Sequence, residues 1–584
     1  YRCDWSSDVC SSDLNGISYD LAFAGQPFFI ANSDDNPYRR VTAQYRKQQI
    51  DQTREPGEQT LTGWWLRSQS TFHYGQGVKF FEPAQDESLR FQYTYSKGCN
   101  VWDKGQVTLL KDVFTTHYTT GPLQANKRPF QIMRTIRYSN KDAVLLWDQY
   151  DVDKIDADGT LTHFIDYNAG VDAPVYAICD DGTYAYWVTN KTAGGANKIH
   201  VYKKLLTATA SDPDTLMFNA TGIVATNAVM EYTKERLVLA INNSVYEFAT
   251  SATALPSAVY SHPNASFTYT SITSSGTAIY LAGYNGVQST IQKFTLNSSG
   301  AMPTLTSAIT AAELPVGEIV FRIYYYLGYM AIGTSLGLRI AEVSGNDGSV
   351  AYGPLLFESE QPVYDVAGYD KYLWCTTNVD GNPGVSRVDL STQIGSNLIF
   401  AYAWDLYDPS LSGFTTTSCS FLGNTNRLAF CTANNGTTNG SIYLEQESIL
   451  VPQGELRTGY IRYNTLENKI FKLLTPRFNT LNGGISIYSI DQNNKSYSLG
   501  VFTQGSDIGQ VGISYPNGAQ QYIGFDFVFT RSSTNNTRGP IFTGYQVNTL
   551  PSIPRQRLIQ YPVSLYDYEM DKFGNQTGYE GYTY

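Results

Sequence analysis

From about residue 140 to 445 the chain repeats one pattern: a short, mostly apolar strand, a turn rich in Asn, Gly, Asp and Thr, then another strand. The clearest copies are Val144–Asp148, Tyr186–Asn190, Val238–Asn242, Tyr280–Tyr284, Met330–Thr334, Leu373–Thr377 and Ala429–Ala433. Their second residues fall at 145, 187, 239, 281, 331, 374 and 430, so successive copies lie 42, 52, 42, 50, 43 and 56 residues apart. That is the length of a four-strand propeller blade, about 40–50 residues. A second, alternating strand follows several copies at hairpin distance, as in Lys198–Lys204, Ser244–Thr250, Leu336–Val343 and Val385–Leu390. Asp158-Gly159, Asp181-Gly182, Asn285-Gly286, Asp347-Gly348, Asp380-Gly381 and Asn435-Gly436 place residues that tolerate φ > 0 where type I′ hairpins need them. The pattern predicts an all-β fold whose central part, 136–448, is a β-propeller of seven blades, six being the next count. A tandem series of β-sandwiches is the rival, but it needs about 100 residues per unit.

The flanks break the pattern. Residues 15–135 hold the charge-dense stretch Asn36–Thr60 followed by the aromatic run Gly63–Pro83, and are expected to form an N-terminal β docking region. Residues 449–550 carry period-two strands, Ile485–Ile490 and Phe525–Thr530, with Asn482-Gly483 and Asn517-Gly518 as turns, which predicts a β-sandwich. Three prolines, at 551, 554 and 562, keep the segment 551–584 extended. The opening Tyr1–Leu14 resembles a translated sequencing adapter of the kind found in reading frames assembled from environmental DNA, and is expected to be an artefact.

Composition agrees with strands and turns. Charged residues make up only 16% of the chain, while 45 Tyr and 49 Gly accompany abundant Thr, Ser and Asn. The net charge of −11, with no basic patch to oppose it, argues against nucleic-acid binding. No apolar run reaches the eighteen residues of a membrane-spanning helix. Setting aside Cys3 and Cys10 in the adapter-like segment, Cys99, Cys179, Cys375, Cys419 and Cys431 stand singly, which predicts buried free thiols and neither a metal knuckle nor a disulfide framework.

The segments Trp64–Pro83 and Asp86–Leu110, and at the other end Pro554–Gly581, resemble parts of minor tail proteins of long-tailed bacteriophages. The resemblance covers the two flanks, about a quarter of the chain. It implies a virion component at or near the tail tip, assembled with other tail proteins, a homo-oligomer by tail symmetry, and in contact with a host-surface glycan or protein.

The sequence assigns no catalytic residue, no metal ligand and no cofactor, and leaves the binding residues open. The acidic run Asp148–Thr160 has Asp156, Asp158 and Gly159 at late positions of a calcium loop, but Lys154 stands where the first ligand belongs. His73, His117, His163, His200 and His262 fit no HExxH frame, and no GxSxG, GxGxxG or phosphate-loop motif occurs. The alternative to a non-enzymatic tail protein is a propeller glycoside hydrolase or glycan-binding adhesin. Asp148, Asp180, Glu358, Asp365 and Asp405 are its candidate carboxylates at the central funnel, and Tyr184, Tyr280, Tyr324, Tyr325, Tyr326 and Trp374 its candidate stacking rings. Inter-blade packing is the plainer expectation for those rings.

Overall fold

The structure is a computed structural model, and it describes residues 65–552 apart from 79, 82–91, 120–131, 149, 168–172, 191–197, 277, 296–307, 408–412, 424, 435–439, 464–465, 467, 480, 504, 507–508, 510 and 514–517. The adapter-like segment, Asn36–Thr60, Asn435-Gly436 and the C-terminal tail-like run Pro554–Gly581 lie outside the described residues. Every regular element among the described residues is a β-strand.

Seven four-strand antiparallel sheets follow one another along the chain. Their innermost strands are Ile132–Tyr138, Val175–Asp180, Ala228–Thr233, Thr268–Ser274, Val320–Tyr326, Val366–Tyr369 and Phe414–Phe421, and we number the blades 1 to 7 in that order. All seven sequence copies fall on the second strand of their blade, and the alternating strands that follow them fall on the third. The middle of the second strand is mostly apolar on both faces because neighbouring blades cover both of them. In blade 3, Leu237, Leu239 and Ile241 pack into one cluster with blade 2, while Val238 and Ala240 pack into another with blade 4. Each such side chain, once buried, contributes on the order of 1.5–3 kcal/mol.

Seven apolar clusters of this kind occur, one per inter-blade seam, and the last joins blade 7 to blade 1. In that last seam Val144, Leu146 and Met133 meet Ala429, Cys431 and Ile442, so the ring closes. The outer strand of blade 7 is not contributed by the segment that follows blade 6. It is Lys111–Thr119, which pairs antiparallel with Gly440–Leu450 before the chain enters blade 1. A strand from ahead of the ring therefore staples its last blade.

The second body is a β-sandwich. One sheet holds Trp65–Gln69, Phe542–Pro551, Lys469–Phe478 and Val511–Gly512, and the other holds Tyr95–Lys97, Gln453–Arg457, Gly524–Thr530, Gly484–Ile490 and Ser496–Phe502. Ile485, Ile487, Phe525, Phe527 and Phe529 fill its core from alternate positions, the period-two spacing of the sequence. Among the described residues of 15–135, Trp65–Gln69 and Tyr95–Lys97 join the sandwich sheets, Cys99–Asn100 pairs with Thr108–Leu109 in a small sheet of their own, Lys111–Thr119 staples blade 7, and the inner strand of blade 1 begins at Ile132.

Turn chemistry also departs in part. Asp380 and Gly381 both have positive φ (50° and 73°), as a type I′ turn requires. At Gly159, Gly182, Gly286 and Gly348 only the glycine does, whereas Ser139-Asn140 and Lys234-Glu235 take the paired positive φ without any glycine.

The sandwich is seated on the outer edge of blade 6. The Gln76 amide donates to the Tyr402 carbonyl (2.7 Å), and the Trp404 amide donates to Gln76 Oε1 (3.2 Å). Ile394, Ala401 and Ala403 of blade 6 belong to the sandwich core. Gly75 allows this approach: its φ is +73°, and a Cβ there would collide with the Tyr402 carbonyl oxygen.

Candidate functional site

Closing seven inner strands around an axis brings alternate side chains of each strand to the centre. Blade 5 supplies Arg322 and Tyr324, blade 1 Arg134, blade 2 Asp180, blade 3 Glu231, and the chain entering blade 6 Asp365. Arg322 and Asp365 are both buried and form an ion pair at 3.2 Å. Asp365 is held in turn by blade 7: its Oδ2 accepts from the Ser418 hydroxyl and the Cys419 amide, and its Oδ1 accepts from the Val366 amide. Ser418 Oγ accepts from the Met133 amide of blade 1 (2.9 Å), so one carboxylate links blades 5, 6, 7 and 1.

The same axis is electrostatically connected. Burial, and next Arg134, draw the Arg322 guanidinium below its ordinary value, while Asp365 and Glu231 draw it back. Burial also pushes the Asp180 carboxyl up to about 6, with Glu231 adding to the rise and the Gly182 amide and Arg134 opposing it. Two arginines thus stand among three carboxyls, and the guanidinium cannot release its proton. Elsewhere, hydroxyls tie inner strand to inner strand: Ser271 of blade 4 bonds both the amide and the carbonyl of Ile323, and Thr135 of blade 1 shares a hydrogen bond with Ser420 of blade 7 (2.8 Å). The arrangement resembles a set of struts more than an open funnel.

A second polar concavity lies where the sandwich meets blade 6. It has a volume of about 390 Å³ and is walled by His73, Tyr74 and Lys104 on one side and by Lys371, Asp389 and Gln393 on the other. Asp389 receives the Lys371 ammonium (3.2 Å), the Ser391 amide and hydroxyl (2.8 and 2.6 Å) and the Thr392 hydroxyl (3.1 Å). The His73 and Tyr74 rings lie 4.4 Å apart, and His73 Nδ1 is buried without a hydrogen-bond partner. Burial first, then Lys104, hold the His73 imidazole below its ordinary value.

No protein-family model matches the chain, and no curated protein does either. Solved structures do align with it. One is Raptor from Chaetomium thermophilum (13% identity, 58% of this chain and 30% of that one, TM-score 0.38). Others are YCF48 bound to a D1 peptide (10% identity, 57% of this chain and 100% of that one, TM-score 0.39) and the WD40 β-propeller domain of Doa1 (12% identity, 57% and 98%, TM-score 0.38). This chain therefore spans less than a third of the Raptor chain.

Of the candidate carboxylates, only Asp180 and Asp365 reach the axis. Asp148 ends the second strand of blade 1, and Glu358 is exposed at the end of the outer strand of blade 5. Asp405 is buried in the outer strand of blade 6 beneath Arg387, with the indole nitrogens of Trp102 and Trp374 donating to it. In the calcium-like run, Asp156 is taken by Lys141 (2.7 Å) and the Tyr138 hydroxyl (2.6 Å), and Asp158 caps its own turn through the Thr160 amide (2.9 Å). Lys154 is buried, with its ammonium donating to the carbonyls of Leu206 and Ala208. Among the candidate rings, Tyr280 and Trp374 are buried in seams between blades, and Tyr324 stacks on Tyr326 beside Arg322. The five cysteines among the described residues are buried and free. Arg134, Glu231 and Arg322 were not foreseen, although a charge inside an otherwise apolar inner strand, as in Val320–Tyr326, is the available signal.

Proposed function

We propose that the chain is a non-enzymatic structural protein of a long-tailed phage tail, located in the virion at or near the tail tip. The sandwich and the flanks dock it among other tail proteins, and the propeller is a rigid platform that presents loops to neighbours or to the host surface. The observation that carries this reading is the meeting of the flanks. Trp65–Gln69, which lies in the first tail-like segment, pairs along Tyr545–Thr549, a few residues ahead of the last one at Pro554–Gly581, so the two resembling flanks are brought to one sheet in sequence order. A single docking face of that kind suits a subunit repeated by rotation, where one weak contact per copy suffices.

The axis supports the same reading. Glycoside hydrolysis needs two carboxyl groups about 5–10 Å apart with a sugar between them. Here Asp365 is committed to Arg322 and to backbone and hydroxyl donors, and Asp180 has Arg134 for a neighbour. The genes beside the coding sequence test the proposal. Tape-measure and baseplate-like products are expected there; polysaccharide uptake or degradation enzymes in their place would refute it.

A further inference from the structure

We infer that the cleft between the sandwich and blade 6 binds one anionic sugar residue, a hexuronate unit of a polysaccharide, through Lys104 and Gln393 against the His73–Tyr74 wall. The inference holds whether or not the chain belongs to a tail. Size comes first. At about 390 Å³ the cleft falls within the range of about 300–1,000 Å³ typical of small-molecule sites, and a bare phosphate would leave most of it unfilled.

Charge selects among sugars. Asp389 already satisfies Lys371 and binds three further donors from Ser391 and Thr392, so its carboxylate is spent on the wall itself. Lys104 is exposed and, among the described residues, has no carboxylate within ion-pair distance. A carboxylate entering the cleft would meet that ammonium directly. Gln393 offers both a carbonyl and two amide hydrogens, which suits vicinal hydroxyls. His73 and Tyr74 add half-buried rings to the wall of the cleft, against which the CH side of a pyranose can rest.

The test uses the full chain and three probes in calorimetric titrations: a glucuronate oligosaccharide, a neutral gluco-oligosaccharide of equal length, and inorganic phosphate. The uronate is expected to bind, the neutral sugar about tenfold more weakly, and phosphate not measurably. Lys104→Glu and Gln393→Ala should each weaken uronate binding by about tenfold with an unchanged melting curve, because each removes a polar contact from an outer wall. If Lys104→Glu alters the melt, Lys104→Gln takes its place. No uptake of the uronate, equal uptake of the neutral sugar or of phosphate, or variants that bind as the parent does would each overturn the assignment.

Discussion

Replacing Asp365 by Ala is the sharpest perturbation of the ring. It leaves Arg322, which is only 7% exposed, without its partner at 3.2 Å and removes the acceptor of the Ser418 hydroxyl and of the Val366 and Cys419 amides. Breaking one side of a buried ion pair costs about 3–5 kcal/mol, since the remaining charge is stranded in low dielectric. The lost hydrogen bonds are part of that figure and are not added to it. At roughly 2 °C per kcal/mol for a large domain, the propeller transition should fall by about 6–10 °C. Thermal melts followed by tryptophan fluorescence read the shift and urea unfolding reads the free energy, with the sandwich and propeller transitions fitted separately because a two-body chain need not unfold in one step. The double variant Arg322→Met with Asp365→Leu strands no charge and should recover at least half of the loss. A single variant costing less than about 1 kcal/mol, or a double variant as unstable as the two singles combined, would refute the strut argument.

Three further outcomes are expected. Because the Asp180 carboxyl is raised to about 6 from an ordinary 3.8, its protonation favours the folded ring, so the parent should gain stability over Asp180→Asn as pH falls from about 6 to 4; equal melting curves across that window would contradict this. Burial lowers Lys154 to about 8, so below that pH the ring carries the cost of a buried ammonium; the parent should gain stability as pH climbs from about 8 to 10.5, a rise that Lys154→Met abolishes in thermal melts. Gly75→Ala forces a side chain into positive φ against the Tyr402 carbonyl and should cost about 1–3 kcal/mol, read as a sandwich transition separating from that of the propeller; an unchanged profile would remove Gly75 from the joint.

The propeller was legible because its second strands are buried on both faces. A run such as Leu237–Ile241, covered by one neighbour through odd positions and by the other through even ones, must be apolar throughout, and seven mostly apolar runs at blade spacing stand out of the sequence. The staple was not legible. Lys111–Thr119 reads as an ordinary strand, and its partner Gly440–Leu450 lies more than three hundred residues away, a pairing that no local period records. Hairpins were legible only where glycine marked them: Asp380-Gly381 obeys the rule, while Ser139-Asn140 and Lys234-Glu235 reach similar φ values as two-residue connections between paired antiparallel strands, without a glycine to announce them. Of the axis, Asp180 and Asp365 were named and Asp148, Glu358 and Asp405 were named with them, since acidic composition cannot tell an inner strand from an outer one. The sandwich–blade 6 cleft joins residues 73–104 to 371–393, and only the folded chain brings them together.

The central claim is a ring locked by a strand from ahead of it, and an engineered disulfide measures that directly. Val113 and Glu445 are register partners across the staple, at a separation that a disulfide spans in antiparallel sheets. In a chain whose five described thiols are buried, Val113→Cys with Glu445→Cys should oxidise to an intramolecular bridge in the folded state, detected as a linked peptide pair by mass spectrometry. It should also raise resistance to unfolding. Two cysteines that stay reduced in the folded protein, or that bridge only between separate molecules, would contradict the closed seven-bladed ring.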